Sequence, residues 1–385
     1  MNDEVTYDDI VAARSAGSEV VRRTPLADSA ALSDRHGVPV VLKAENLQRT
    51  GAFKIRGAMN ELVTLGERAA NGVTAGSAGN HAQAIAFAAR HFGVPCDIFV
   101  PAGAPITKIE ACQQLGANVV EGGASLDEAM AAAKQTAAAD GKVFCHPFDD
   151  PAVVAGQGTV GLEIVEDLPD VATVVVPLGG GGLAAGTAIA IKSHQPDVRV
   201  IGVQAEVCSP YAGGMSPPGP VTTLADGIAV KHPGVVTAPL VERWLDDVVA
   251  VTEEAIADAM VMLMDRAKLY VEGAGAVGVA AIQAGLVAPR GGPTCVIVSG
   301  GNVDLGVVPG LIRRHEATAG RRLVVSARIV DRPGGLVHFL TAFADAGANL
   351  IEVQHQREGL DLNVRTTGIH ATFEVRGPEH SAAVV

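Results

Sequence analysis

Short apolar runs that alternate with helical patterns constrain the fold of this sequence more than any other feature. Three such runs, bounded by Gly or Pro, are T-V-V-V-P-L (173–178), R-V-I-G-V-Q (199–204) and T-C-V-I-V-S (294–299). Helical patterns such as H-A-Q-A-I-A-F-A-A-R-H (81–91) separate runs of this kind. Strands that are apolar throughout occur in parallel sheets covered by helices on both faces. We therefore predict an α/β protein with two parallel-sheet lobes and a cleft between them.

Charge and cysteine content exclude several classes of protein. A net charge of −13 argues against nucleic-acid binding, which needs clustered Lys and Arg. The five cysteines are scattered without a C-x-x-C pair, so we expect buried thiols in a reducing cytosol. The uncharged stretch 171–191 contains Pro177 and four glycines, and we expect it to be a strand, a loop and a helix instead of a membrane span. The N-terminus is acidic, unlike a signal peptide, and a cytoplasmic protein is expected.

The pattern changes near the C-terminus, where the sequence predicts a separate α+β domain. Residues 314–322 are charged and are predicted to form a linker. Beyond them, 323–329 alternates apolar and polar residues as a half-exposed strand does, and 337–347 has the pattern of an amphipathic helix. Two further strands are predicted over 349–356 and 369–375. The resulting βαββ order indicates a domain over 323–385.

A run of four glycines follows one buried strand and precedes a helix, in V-P-L-G-G-G-G-L-A-A-G (176–186). Glycines at a helix start let backbone N–H groups approach an anion, and the helix dipole adds to the attraction. The spacing matches neither a nucleoside-triphosphate loop nor a dinucleotide fingerprint. We therefore predict that the loop binds a single phosphate monoester; a tight turn without a ligand is the alternative.

A second strand-to-helix junction carries polar residues, in T-A-G-S-A-G-N-H-A (74–82). Ser77, Asn80 and His81 surround the start of a helix and suit an anion such as a substrate carboxylate. Taken alone, Ser or Asn at such a place is more often a helix cap.

The third junction places a lysine between apolar residues, in E-N-L-Q-R-T-G-A-F-K-I-R-G-A (45–58). Apolar surroundings lower the pKa of a lysine and leave a nucleophilic amine, although an isolated Lys54 could equally be a surface charge. Together, a reactive amine, a phosphate loop and a carboxylate site are what pyridoxal phosphate (PLP) and an amino acid require.

Residues 7–312 resemble the fold-type II PLP enzymes, which have the tryptophan synthase β-like fold, and among them the threonine/serine dehydratases. The motifs that carry the resemblance are E-N-L-Q-R-T-G-A-F-K-I-R-G-A, S-A-G-N-H-A-Q, H-P-F-D-D-P-A-V-V-A-G-Q-G-T (146–159), G-G-G-G-L, A-D-G-I-A-V-K (225–231), E-G-A-G-A (272–276) and S-G-G-N-V-D (299–304). The resemblance implies a catalytic domain over 1–313, with a large lobe formed by 1–70 and 150–313 and a small lobe formed by 71–149.

The resemblance also implies a role for individual residues. Lys54 would form the Schiff base with PLP, Phe53 would pack against the ring, and Asn80 would bond the 3′-oxygen. The phosphate would be held by backbone N–H groups of Gly179, Gly180, Gly181, Gly182 and Leu183. The substrate carboxylate would be received by the loop of Ser77, Ala78, Gly79, Asn80 and His81. Ser299 would meet the pyridine nitrogen.

The resemblance implies α,β-elimination, converting L-threonine to 2-oxobutanoate and ammonia and L-serine to pyruvate. A neutral hydroxyl at Ser299 does not keep the ring nitrogen protonated as an aspartate would, which favours prompt elimination over transamination. Related serine racemases have a second serine after the position of Ser77, where this chain has Ala78. Their cation site uses a carboxylate pair, of which Glu206 is present but Ala212 replaces the second member, so no metal is expected.

The tail resembles an ACT domain, a βαββαβ amino-acid-sensing module of the ferredoxin-like type. D-R-P-G-G-L (331–336) and G-A-N-L-I-E-V (347–353) match its first turn and second strand, and we expect the last αβ unit to be missing. The resemblance implies an effector such as isoleucine or valine, bound by Asp331, Leu336 and Asn349, and a homodimer or homotetramer. A structural appendage without a sensing role is the alternative.

Other interpretations remain open on the sequence alone. A serine-preferring dehydratase or a β-substitution enzyme would share the same motifs. A non-catalytic amino-acid sensor would keep the fold but has no use for Lys54, and a nucleotide-binding α/β protein would need a fingerprint that is absent. A threonine dehydratase could serve either isoleucine biosynthesis or threonine catabolism.

Overall fold

A computed structural model describes residues 5–357 and 365–385. Contacts divide the chain into two compact units, Met1–Val303 and Asp304–Val385. Residues 1–4 of the predicted large lobe and 358–364 of the predicted C-terminal domain lie outside the described residues.

The strands form two sheets in the first unit and one in the second. In chain order they are β1 (Leu26–Asp28), β2 (Val40–Ala44), β3 (Val73–Gly76), β4 (Cys96–Val100), β5 (Asn118–Glu121), β6 (Val143–Phe144), β7 (Thr173–Pro177), β8 (Arg199–Ala205), β9 (Asp247–Val251), β10 (Thr294–Val298), β11 (Arg322–Val330), β12 (Asn349–Gln356) and β13 (Thr366–Glu374). The sheets have the strand orders β1-β2-β10-β7-β8-β9, β5-β4-β3-β6 and β11-β13-β12.

Helices connect most of these strands. In chain order they are α1 (Tyr7–Ala16), α2 (Ala30–His36), α3 (Lys54–Leu65), α4 (Asn80–Phe92), α5 (Ile106–Gln114), α6 (Leu126–Asp140), α7 (Pro151–Asp167), α8 (Gly182–Lys192), α9 (Thr237–Trp244), α10 (Glu253–Met262), α11 (Gly273–Gln283), α12 (Val308–Thr318), α13 (Gly335–Asp345) and α14 (Pro378–Val384). Short 3₁₀ turns at Glu45–Leu47 and Arg49–Gly51 lead from β2 into α3.

The six-stranded sheet forms the core of the large lobe. Apart from β1, which is antiparallel to β2, its neighbouring strands are parallel. Every residue of β2, β7 and β10 is buried, as expected for apolar strands covered on both faces. The predicted parallel sheet is therefore confirmed.

The four-stranded sheet forms the small lobe and is parallel throughout. Its core contains small residues of α4 packed on β3 and β4. The prediction of two parallel-sheet lobes is confirmed.

The uncharged stretch 171–191 divides into β7, a glycine loop and α8, as predicted. Within the described part of the chain, none of the helices combines the length and the apolar character needed to cross a membrane.

The second unit has a three-stranded antiparallel sheet with β13 between β11 and β12. Apolar residues of α13, among them Phe339 and Phe343, pack on Phe373 and its neighbours. The predicted strands and helix are present in this order. The short helix α14 follows them, so the expectation that the last αβ unit is missing is wrong for its helix.

The predicted linker at 314–322 is helical as far as Thr318, because α12 spans Val308–Thr318. Leu311 is buried while the charged residues after it are partly or fully exposed, which is the pattern of a one-sided helix. Charge alone was therefore a poor indicator of a linker.

A buried cluster of four charged side chains fixes helix α3 in the large lobe. The guanidinium of Arg56 donates to both carboxylate oxygens of Glu45 at 2.7 and 2.8 Å and to Glu163 at 2.7 and 2.9 Å. Lys43 Nζ donates to Glu163 at 2.6 Å and to the Thr24 carbonyl at 2.7 Å. The cluster has two cations and two carboxylates, so each buried charge is compensated.

We expect Arg56→Met to destabilise the fold by about 3–5 kcal/mol, because removing one partner leaves buried carboxylates without compensation. Arg23→Met is the matched control, since Arg23 pairs with Glu166 and Asp167 at the surface and should lose about 1 kcal/mol or less. Urea unfolding followed by circular dichroism measures both. Equal losses in the two variants would contradict a special role for the buried cluster.

Candidate active site

Lys54 lies at the start of α3, where chain segments from both lobes meet. Its Nζ donates a hydrogen bond to the Pro147 carbonyl at 2.6 Å and lies 5.2 Å from the centre of the Phe53 ring. Burial lowers the pKa of Lys54 to about 8, and the nearby Glu272 carboxylate opposes this shift. A substantial fraction of the amine is therefore neutral near physiological pH.

The glycine loop lies against Phe148, the residue that follows Pro147. A Cβ at Gly180 would come within 2.2 Å of the Phe148 ring, and a Cβ at Gly179 within 2.9 Å of Ile228 Cα. Gly181 has φ of +96°, which favours glycine. Close packing thus requires glycine at several of these positions, whether or not the loop also binds a ligand.

The loop leads into α8 with backbone donors available. Gly181 is the N-cap of α8 and provides no side-chain cap, while the first N–H groups of a helix have no partner within it. Leu183 is buried in the first turn. Thr237 Oγ1 donates to the Gly180 carbonyl at 2.6 Å and so holds the loop in place.

Asp149, in the motif H-P-F-D-D, holds the segment 235–237, whose Thr237 bonds the glycine loop. Its carboxylate accepts bonds from the backbone N–H groups of Val235, Val236 and Thr237 at 2.8–3.0 Å. This motif is one of those that carry the family resemblance, but no role for Asp149 was predicted from the sequence.

Asn80 begins α4 and is held by two side chains. Its Nδ2 donates to Glu272 Oε1 at 2.6 Å, and its Oδ1 accepts from Asn302 Nδ2 at 2.7 Å. Glu272 and Asn302 both lie in motifs that the sequence analysis quoted, but neither was predicted to take part in the site.

The rest of the predicted carboxylate loop is partly buried, and His81 is fully in the core. Ser77 Oγ accepts a bond from Gly79 N at 3.2 Å, and a Cβ at Gly79 would meet nothing within 4 Å. Ala78 packs on the small-lobe core. The ring of His81 is buried and bonds the Cys145 carbonyl at 3.1 Å, and burial lowers its pKa to about 3. Because the His81 ring is buried against the protein backbone, a contribution of His81 to a carboxylate site would come from its own backbone.

Ser299 follows β10 directly and is buried. Its carbonyl accepts a bond from Phe53 N at 3.1 Å, which places the end of β10 beside the residue preceding Lys54.

These residues fit PLP on their chemistry. The amine of Lys54 suits an aldehyde, the uncapped start of α8 suits a phosphate, and the amide of Asn80 suits a phenolic oxygen. Lys54, the glycine loop and Ser299 all follow the carboxyl ends of strands, where α/β folds bind ligands.

The predicted effector residues do not form one site within a single copy of the chain. Asp331 follows the end of β11 and bonds Arg357 at 3.1 Å, whereas Asn349 begins β12 and bonds Glu374 at 3.2 Å. Since Arg322 and Asn349 both pair with Glu374, Asn349 lies at the opposite end of the sheet from Asp331. Eight strand positions separate the two ends by about 25 Å. Leu336 packs in the core of this unit.

Comparison with known proteins places the chain in a family. Residues 17–300 match the family described as pyridoxal-phosphate dependent enzymes. An L-threonine ammonia-lyase of Thermotoga maritima is 46% identical over 382 residues, covering 98% of this chain and 95% of that protein.

Solved structures agree with this match. The processed form of threonine deaminase isoform 2 from Solanum lycopersicum is 35% identical with a TM-score of 0.75, covering 80% of this chain and 86% of that one. A maize serine racemase is 34% identical with a TM-score of 0.75, covering 82% and 98%. This chain is therefore a member of the pyridoxal-phosphate-dependent enzyme family, with the fold-type II architecture that its sequence predicted.

Proposed function

We propose that the protein is an L-threonine ammonia-lyase that converts threonine to 2-oxobutanoate and ammonia, and serine to pyruvate. The observation that carries the proposal is the partly buried amine of Lys54, which bonds the Pro147 carbonyl beside the Phe148 ring that packs on the glycine loop. The chain is also nearly half identical to an L-threonine ammonia-lyase along almost its full length.

The cofactor and Lys54 would have different roles in this reaction. PLP, when bound, supplies a carbonyl for the substrate amine and a ring that accepts the electrons of the Cα–H bond. Lys54 would hold the cofactor through Nζ, and its neutral amine would then remove the proton from Cα of threonine. The hydroxyl group would leave Cβ with one proton as water, which balances the proton that Lys54 takes from Cα. A water molecule would later replace the amino nitrogen, which leaves as ammonia. The net products are 2-oxobutanoate and ammonia.

Four further positions would bind the cofactor and substrate or favour elimination. The backbone of 179–183 would hold the phosphate, and Ser77–His81 would receive the carboxylate through main-chain groups. The hydroxyl of Ser299 would contact the pyridine nitrogen, and this hydroxyl carries no charge. Ala78 has no hydroxyl to carry a proton on the opposite face of the substrate, which favours a lyase over a racemase.

Lys54→Ala should abolish release of 2-oxobutanoate and ammonia from L-threonine, because it removes both the cofactor attachment and the base. Lys192→Ala is the control, since Lys192 lies at the far end of α8 from the glycine loop and pairs with Asp246. Keto-acid and ammonia assays should be run with threonine, with serine, and with serine plus sulfide. Product only from serine would favour a serine dehydratase, a sulfide-dependent product would favour β-substitution, and cofactor binding without any product would favour a sensor.

The turnover number should rise with pH as the Lys54 amine loses its proton. The neutral form acts as the base and predominates above the pKa, which is about 8 in this structure. A kcat profile from pH 6 to about 9.5 with threonine tests this, and a flat profile would contradict Lys54 as the base.

The second unit supports a proposal of regulation by a branched-chain amino acid such as isoleucine or valine. Its βαββα order and antiparallel sheet support the resemblance, because they match the first five of the six elements of an ACT domain. Asp331 and Asn349 can share one effector only if they come from two copies of the chain, which favours a homo-oligomer.

We expect isoleucine or valine to change threonine turnover, and Asp331→Ala and Asn349→Ala each to weaken that response at least tenfold. Asp345→Ala, at the end of α13, is the control. A loss confined to Asp331→Ala would contradict a shared site between copies. Inhibition by isoleucine would favour a biosynthetic role, and activation a catabolic one.

A further inference from the structure

Glu272 begins helix α11 without capping it. The residue is the N-cap of α11, yet its side chain makes no capping bond. Glu is not among the preferred N-cap residues. The carboxylate instead accepts the bond from Asn80 Nδ2 at 2.6 Å and is buried, with 7% of the residue exposed. Glu272 therefore connects the large lobe to the start of α4 in the small lobe.

The two partners of Asn80 determine which way its amide faces. Asn302 Nδ2 donates both to Asn80 Oδ1 and to the Thr50 carbonyl, each at 2.7 Å. A donor on one side and a carboxylate on the other leave a single amide orientation that satisfies both. Because an amide nitrogen has two N–H groups, one remains for the cofactor oxygen that Asn80 is proposed to bind.

The backbone around Glu272 leaves space for this contact. Glu272 N donates to the Gly300 carbonyl at 3.1 Å, next to Ser299. A Cβ at residue 300 would lie 2.3 Å from Glu272 Oε1, so a larger residue there would push the carboxylate away from Asn80.

The charge of Glu272 acts on Lys54. The Glu272 carboxylate opposes the lowering of the Lys54 pKa by burial. Burial together with Asp226 raises the pKa of Glu272 itself to about 7. Lys108 and Lys54 favour the ionised carboxylate, as does the bond from Asn80. Lys108 also pairs with Asp226 at 3.6 Å.

We infer that Glu272 is a positioning residue for the lyase reaction, holding the amide of Asn80 toward the cofactor and balancing the charge of the Lys54 amine. The inference rests on the proposed function, in which Asn80 binds and Lys54 reacts. Glu272 acts through these two residues and is not itself a catalytic residue.

Two variants separate the two effects. Glu272→Gln keeps an oxygen for Asn80 but removes the charge, so the rise of kcat with pH should move to lower pH because Lys54 loses its stabilising anion. Glu272→Ala also releases Asn80, so kcat should fall about 10- to 100-fold with KM for threonine within about threefold, the range seen when supporting partners are removed. Glu254→Gln, at an exposed glutamate on α10, is the control and should leave the pH profile, kcat and KM unchanged.

A second measurement does not depend on turnover. Holoenzyme is diluted into a PLP scavenger, and loss of the visible absorption of bound cofactor gives the release rate. Glu272→Ala should release PLP about tenfold faster, and Glu272→Gln less than threefold faster. In a double-mutant cycle with Asn80→Ala, the effects on release should be strongly non-additive because Glu272 acts through Asn80.

An unshifted kcat profile in Glu272→Gln, together with additive effects on PLP release, would overturn the inference. If the wild-type protein binds PLP but releases no keto acid, the proposed function fails while the release rates still decide the role of Glu272. Glu272→Gln has nearly the same shape as the native residue, so a folding defect in Glu272→Ala leaves the inference testable.

Discussion

The buried guanidinium of Arg56 is the contact on which the position of the reactive lysine depends. It lies two residues after Lys54 in α3 and binds carboxylates from the turn after β2 and from α7. Charged side chains in a core tolerate little displacement, because any shift leaves a charge without its partner. Helix α3 is therefore fixed in position and rotation within the large lobe, and its first residue is directed to the place where the small lobe begins.

Both lobes contribute to the surroundings of Lys54. Pro147 and Asn80 come from the small lobe, while Glu272 and the glycine loop come from the large lobe. Parallel sheets bring these segments together because their loops emerge at the carboxyl ends of the strands. The Phe148 ring packs on Gly180, so the segment that accepts the bond from Lys54 also supports the loop proposed to hold phosphate. The amine and the phosphate site are thus coupled through two consecutive residues.

Periodicity predicted much of the fold, since β7, β8 and β10 all lie within two residues of the expected runs. Side-chain direction was not predictable in the same way. His81 follows Asn80 on α4, yet the helical rotation turns its ring into the core and leaves Asn80 at the site. Glu272 and Asn302 were missed because their partners are 192 and 222 residues away in the chain. The sequence also did not show that Asp331 and Asn349 lie at opposite ends of one sheet, because strand register is a tertiary property.

Burial also decides which groups can exchange protons at neutral pH. His81 and His146 are close enough for the Lys54 charge to disfavour their protonated forms, but burial is the main reason why their pKa values fall to about 3 and 4. Both rings are therefore neutral at pH 7 and serve as hydrogen-bond partners, as His146 Nδ1 does for the backbone N–H of Asp149 at 2.8 Å. Burial lowers the pKa of Lys54 to about 8 and, together with Asp226, raises the pKa of Glu272 to about 7, so each shift favours the neutral form. Lys54 can therefore lose or gain a proton near neutral pH, which suits a site where one amine acts in turn as nucleophile, base and acid.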